Sequence, residues 1–293
     1  MACLNILTPF EYYRPETLDE ALELLATKED YKIIAGGTDL MIQLKEKMIH
    51  PANIIDVTQI PELKVFEIKE GEGAVIGGCT TDAFCEFSKE LRAKYPAFSI
   101  AAGEIGGPQV RELGTIAGNL ANSGPSAETP SSLICYDAKM TLVKKGGSRV
   151  VDVKDFITGN RRNILEDGEM IQNIILPEPS ANTHVKYGYV AMRRMMEIDI
   201  VNMSIRVDLD GDTITDAKCV MGSVAIKPLV TEKVPEVLKG TKIGDEAVIA
   251  KAAEAAQSEV HPISDIRATA EYRVDVVGAL VRKLLREIAA EVK

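Results

Sequence analysis

The chain is poor in positive charge: 34 Lys and Arg against 44 Asp and Glu give a formal net charge of −10 and a pI near 5.0. Nucleic-acid binding depends on Lys and Arg releasing counterions from phosphates. That class is therefore disfavoured, and so is adhesion to an anionic membrane surface. A small anionic ligand stays admissible, because a few backbone N–H groups can hold one. No run approaches the ~20 consecutive apolar residues of a membrane span. Met1–Asn5 lacks a basic region followed by an apolar one, so no signal peptide is expected and the chain reads as cytoplasmic.

Metal-ligand patterns are missing too. His50, His184 and His261 stand far apart and in no H-E-x-x-H or H-x-E context. The five cysteines (Cys3, Cys79, Cys85, Cys135 and Cys219) are scattered, with no C-x-x-C and no iron–sulfur run. The chain is expected to carry no metal and no cluster of its own. Cys79 and Cys85 read as small buried hydrophobes, Arg193-Arg194 as a solvated pair and Met195-Met196 as core.

What remains is an ordinary globular composition, 46% apolar and 27% charged over 293 residues, about two domains' worth of chain. Thr17-Leu18-Asp19-Glu20 is a capping box, and Leu18, Ala21, Leu22 and Leu25 make the apolar stripe of the helix it opens. Strands are expected at 32–35, 54–57, 65–69 and 74–77, and helices at 40–47, from Thr81 onward and at 97–102. Residues 103–130 are rich in Gly, Ser, Asn and Pro and read as one long irregular segment, which inside a compact domain is usually functional. A helix at 131–136 and strands at 139–144, 149–152 and 170–176 follow. Pro177-Glu178-Pro179 marks a domain boundary. Beyond it come strands at 185–189, 203–209 and 213–221, the last two joined by an Asp210-Gly211 turn, then helices at 245–260 and 272–292. In the last helix Val274, Val277, Val281, Leu284 and Ile288 form a narrow seam suited to packing on the preceding sheet.

Two segments carry chemistry. In Ala35-Gly36-Gly37-Thr38-Asp39-Leu40 a strand passes through glycines into a helix start, an arrangement that brings backbone N–H groups and the partial positive charge of a helix terminus to an anion. It fits neither G-x-G-x-x-G nor a P-loop, and alone it serves equally as a tight strand-to-helix turn. Gly114–Gly124 is the second loop, dense in donors, with Glu128 after it as a possible acceptor for a ribose hydroxyl; by itself it could be an ordinary polar loop. Two such loops in an acidic chain suggest a pyrophosphate held mainly by backbone.

Taken together, KIIAGGTDL (Lys32–Leu40) and GGPQVRELGTIAGNLANSGPSAE (Gly106–Glu128) resemble the FAD-binding subunit of molybdenum hydroxylases of the xanthine dehydrogenase and CO dehydrogenase type, and the likeness runs on through EMIQNIILP (Glu169–Pro177) and Arg193–Ile200. The resemblance implies an α+β fold: a vanillyl-alcohol-oxidase-type (PCMH-like) FAD-binding domain over 1–177, with subdomains about 1–58 and 59–177, then a C-terminal α+β subdomain over 178–293 with a three-stranded antiparallel sheet. It places Lys32, Ile33, Ile34, Ala35, Gly36, Gly37, Thr38, Asp39 and Leu40 around the pyrophosphate. Thr115, Ile116, Ala117, Gly118 and Asn119 come to the phosphates from the second loop. Ala121, Asn122 and Glu128 lie toward the ribose and adenine, Ile105 and Gly106 face the isoalloxazine, and Ile171 touches its other side. Lys186 is the candidate for a basic residue that contacts the flavin.

Three positions depart from the family pattern. Ala117 stands where Gly is common and has less backbone freedom. Glu128 stands for the usual Asp, and Ile105 replaces an aromatic, which removes π-stacking on the ring. The implied role is electron transfer: electrons arrive from [2Fe–2S] clusters on a small partner chain, fed by a large molybdopterin chain that hydroxylates the substrate, and leave to NAD or another acceptor. No catalytic residue is expected here. Neither loop holds the His or Cys of a covalent flavin link, so the FAD is expected to be noncovalent. Two other readings remain: a flavin-free scaffold subunit of the same fold, and a free-standing flavin reductase.

Overall fold

The computed structural model describes residues 7–193 and 196–292; Cys3, Arg194 and Met195 lie outside them. Among the described residues three larger sheets organise the chain, beside a two-stranded one formed by Ile157–Gly159 and Arg162–Asn163. The first is parallel, in the order Glu11–Tyr13, Asn53–Asp56, Tyr31–Ile34. The helix Leu18–Thr27 makes the crossover between its outer strands. Thr17 caps that helix by accepting from the N–H of Glu20, but the returning arm differs from the expected box: Glu20 accepts from the N–H of Glu16 at 2.9 Å. Ala21 and Leu25 are buried against Ile55, Val57, Ile60 and Leu63.

The second sheet is antiparallel, in the order Phe66–Lys69, Gly73–Gly77, Met170–Leu176, Lys139–Lys144, Gly147–Asp152. Short helices fill the chain between its second and third sequential pieces: Asp82–Phe87, Lys89–Lys94, Pro96–Gly103, Pro108–Arg111, Ile116–Asn122 and Thr129–Cys135. Together with the sheet they enclose the core around Tyr95, Phe98, Leu133 and Ile174. Residues 103–130 are thus not one irregular segment. Pro108 starts one turn of helix and Thr115 caps another, both local signals that the Gly and Ser content masks.

The third sheet is antiparallel: Thr183–Val190, Val201–Asp210, Thr213–Gly222 and a two-residue fourth strand, Leu229–Val230, beyond the three expected. The hairpin between the long strands turns on Gly211-Asp212, with Gly211 at φ +61°. One face is covered by the helices Lys233–Leu238 and Ala270–Val292, and the helix Glu246–Glu259 packs on both of them. Val277, Val281, Leu284 and Ile288 of the expected seam are fully buried there. The buried face is broader than the seam, taking in Val276, Leu280 and Leu285, because this helix meets both a sheet and a helix.

The other face of the third sheet lies on the helices Pro96–Gly103 and Thr129–Cys135 of the core. Polar contacts lock this junction. Asp137, just past the end of the second of these helices, pairs with both Arg206 and Lys218. The same two cations donate to the helix's last carbonyls, Arg206 to Cys135 at 3.3 Å and Lys218 to Ile134 at 3.4 Å, where the helix dipole favours positive charge. Cys85 is buried as expected and Cys79 partly so, whereas Met196 is 60% exposed rather than core. No helix among the described residues is long and apolar enough to cross a membrane.

Leu284 is fully buried, and its Cδ2 stands 3.0 Å from where a side chain on Gly188 would begin. Leu284→Ala should destabilise the chain by roughly 2–5 kcal/mol through the lost contacts and the cavity left behind. Urea titration checks this. A loss under about 1 kcal/mol would mean that the helix does not hold the sheet.

Candidate functional site

The two glycine loops touch. A Cβ on Gly36 would lie 1.7 Å from the carbonyl oxygen of Leu113 and 2.9 Å from the nitrogen of Gly114, so only glycine lets the first loop close on the second. Gly37 then turns the chain with φ +69° into the helix Leu40–Lys45. From Gly36 to Leu40 the backbone N–H groups have no acceptor among the described residues. Five consecutive free donors at a helix start form an anion site.

The second loop is arranged differently. Thr115 caps the helix Ile116–Asn122 by accepting from Gly118 N–H at 3.1 Å. The N–H groups of Ile116 and Ala117 donate to the carbonyls of Thr80 and Gly78, and that of Asn119 donates to Thr115. Its backbone donors are therefore spent on docking the helix against the end of the strand Gly73–Gly77. Polar side chains remain available, Asn122 and the amide of Asn119, whose Oδ1 accepts from Thr129 at 2.6 Å. The expectation of two backbone phosphate loops thus resolves into one backbone loop and one side-chain loop.

Between them opens a cleft of about 700 Å³, within the ~300–1,000 Å³ of small-molecule sites. Ile33, Ala35 and Gly36–Leu40 line one side; Thr115, Gly118, Asn119, Asn122 and Glu128 line another, and Ile105 and Gly106 a third. Ala117, Ala121 and Ile171 do not line it. They border a smaller apolar pocket of about 120 Å³ that shares Ile33, Ala35 and Gly118 with the cleft. Ile116 is fully buried in the core, and neither Lys32 nor Ile34 lines either space.

Lys186 is not brought to the cleft. Strand alternation turns Val185 and Tyr187 toward the core around Tyr95 and Phe98 and Lys186 toward the C-terminal helix, where it pairs with Glu291. Assigning it to the flavin from sequence put it on the wrong face of its strand.

Several lining residues escaped the sequence. Asp82, Val110, Pro125, Ser126, Ala127, Asn160, Arg161, Glu197 and Ile198 all border the cleft. The Gly159-Asn160 pair was a legible turn signal. It places Arg161 at φ +54°, with its N–H donating to the carbonyl of Ser123 at 2.9 Å, as an exposed cation on the rim.

Under the Ile105–Gly106 turn lies a clamp. Arg111, 6% exposed, donates to Glu86 at 2.7 Å and to the carbonyls of Ile105 and Gly106 at 3.1 and 3.3 Å. Two buried carboxyls, Asp82 and Glu128, line the cleft, and a third, Asp199, lies beside Glu128. Burial pushes Asp82 up to about 7 against the pull of Arg111. Burial likewise raises Asp199 to about 7, opposed by Asn202 and by Tyr187, whose hydroxyl donates to it at 3.2 Å. Glu128 is raised well above the carboxylate range, mainly by burial and then by Asp199. The cleft is thus less anionic near neutrality than its composition suggests. Among the described residues no group of three or more His, Cys, Asp or Glu is placed to hold a metal.

These features coincide with known proteins. The family model described as "FAD binding domain in molybdopterin dehydrogenase" matches residues 8–179, and "CO dehydrogenase flavoprotein C-terminal domain" matches residues 187–288. The carbon monoxide dehydrogenase medium chain of Afipia carboxidovorans is 32% identical over 97% of this chain and 98% of its own length. The xanthine dehydrogenase FAD-binding subunit of Escherichia coli O157:H7 is 29% identical over 95% of this chain and 96% of its own. A solved structure of carbon monoxide dehydrogenase from Hydrogenophaga pseudoflava superposes with a TM-score of 0.91 at 29% identity, covering 96% of this chain and 97% of that one. The chain belongs to the FAD-binding medium subunits of the multi-chain molybdenum hydroxylases, oxidoreductases of the xanthine dehydrogenase family.

The buried carboxyls give a pH dependence. Asp82 and Asp199 titrate higher in the folded chain than in an unfolded one, so the native state holds more protons between about pH 4 and 7. Stability of the flavin-free chain should fall as pH rises through that window. Asp82→Asn should resist urea better than the parent at pH 8 and no better at pH 4. Equal midpoints for the two proteins at pH 8 would refute the assignment.

Proposed function

We propose that this chain holds FAD noncovalently in the cleft between the two loops and works in the cytoplasm beside a large molybdopterin subunit and a small [2Fe–2S] subunit. The proposed division is a FAD-binding part over 1–177 and a C-terminal part over 178–293. The observation that carries the reading is the run of unpaired N–H groups from Gly36 to Leu40, closed against Leu113 by the missing Cβ of Gly36. The residues present fit the group. Gly36–Leu40 would bind the pyrophosphate, with Thr115, Asn119 and Asn122 facing it. Glu128 would accept from a ribose hydroxyl, and Ile105 and Gly106 would border the ring. Ala117, Ala121 and Ile171 supply the apolar surface behind Gly118.

When bound, FAD would supply the redox chemistry by which electrons from the [2Fe–2S] clusters could reach NAD or another acceptor. The protein's share is placement. Arg111 fixes the carbonyls of Ile105 and Gly106, and the buried carboxyls keep net charge low beside a dianionic ligand. The medium-chain and FAD-subunit names of the relatives support the same assembly.

Gly36→Ala should lose most of its flavin with circular dichroism little changed, since the added methyl meets backbone rather than a movable side chain. The measurement is flavin absorbance per chain; full occupancy would overturn the loop assignment. Acid precipitation of the parent should leave the flavin in the supernatant, and flavin retained on the pellet would mean a covalent link. With NAD as the natural acceptor, the chain reduces an artificial dye with NADH. NADH left unoxidised by the flavin-loaded chain would remove NAD from the proposal.

A further inference from the structure

The cleft contains a carboxyl group that the fold does not use. Asp82 opens the helix Asp82–Phe87, but the capping is done by Thr81, whose hydroxyl accepts from the N–H of Phe84 at 3.2 Å. The residue is 2% exposed and lines the cleft, and its Oδ1 has no hydrogen-bond partner. Arg111 does not pair with it, because its guanidinium is engaged by Glu86 and by the carbonyls of Ile105 and Gly106. Room is made for it all the same. Its Oδ2 stands 2.5 Å from where a Cβ on Gly114 would be, so the second loop accommodates the carboxyl only because residue 114 is glycine. A buried polar group without a partner is costly, and one lining a ligand cleft finds its partner in the ligand.

Its position says which part of the ligand. On one side Gly114 adjoins Gly36, the start of the free N–H run. On the other, Val110 and the clamped Ile105–Gly106 turn border the same cleft. Asp82 therefore sits between the segments assigned to the pyrophosphate and to the ring. In FAD the ribityl chain joins those two groups. Its hydroxyls can donate to a carboxylate or accept from a carboxylic acid, whereas a phosphate oxygen repels the ionised form.

We propose that Asp82 hydrogen-bonds the ribityl hydroxyls of the bound flavin and is a binding residue of the cleft. The proposal rests on the FAD reading above. Asp82→Ala and Asp82→Asn are prepared in the full-length chain, stripped of flavin and titrated with FAD, with ADP, and with FAD analogues lacking single ribityl hydroxyls. The alanine variant should bind FAD about tenfold more weakly or worse, with ADP affinity unchanged, since ADP has the pyrophosphate but no ribityl chain. Asparagine should recover most of the loss. At least one deoxy analogue should bind the parent more weakly than FAD does, and the alanine variant should no longer distinguish the two. At pH 8 both variants should meanwhile gain urea resistance without flavin, a combination that a merely structural residue would not give.

Unchanged FAD affinity in the alanine variant, an equal loss for ADP, or discrimination that survives the substitution would each overturn the proposal. If the parent itself binds neither FAD nor ADP, the FAD reading falls, and this proposal with it.

Discussion

The close approach of two backbones at Gly36 is the constraint on which the site depends. With the carbonyl of Leu113 where a side chain would begin, the first loop can only lie flat against the second. That contact joins the parallel sheet of residues 11–56 to the helical and antiparallel part that follows. It also leaves the N–H groups after Gly36 facing the cleft rather than one another. The binding surface is thus a by-product of how two distant segments meet, and neither loop makes it alone.

The two loops divide the work because of where each is docked. The second loop starts a helix whose first N–H groups are needed to hold it against Gly78 and Thr80. Fixed in that way, it can offer only side chains to a ligand. The first loop follows a strand whose pairing ends at Ile34, so its donors are left over. The same cleft is lined by the buried Asp82 and Glu128, with Asp199 buried beside Glu128. Burial holds their protons to higher pH, which limits repulsion of an anionic ligand in a chain whose net charge is −10.

The C-terminal part closes the arrangement from the far side. Its sheet rests on the helices Pro96–Gly103 and Thr129–Cys135, held by the pairing of Arg206 and Lys218 with Asp137 at the end of the second. The same sheet contributes Tyr187 and, from the connection between its first two strands, Asp199. Their hydrogen bond lies near Glu128 on the cleft wall. Glu197 and Ile198 reach the cleft rim from that same connection. A surface that in sequence looks like a separate domain supplies part of the cleft rim.

Local chemistry was enough to settle much of this from sequence. The Thr17 cap, the strands 139–144 and 170–176, the glycine turn into Leu40 and the seam of the last helix each depend on residues within a few positions of one another, and the α+β fold was implied by the family resemblance that the two glycine loops carry. What sequence could not settle is what distant segments do to each other. It could not show that Ile116 and Ala117 would donate to Thr80 and Gly78, because those acceptors lie about forty residues away and belong to another element. It gave no sign of Asp82, Arg161 or Glu197 at the cleft, since nothing near each residue marks it as facing a ligand. And it placed Lys186 at the flavin although a one-residue step along a strand reverses the face, so that only the packing of the third sheet between helix and core decided that Lys186 points away and Tyr187 points in.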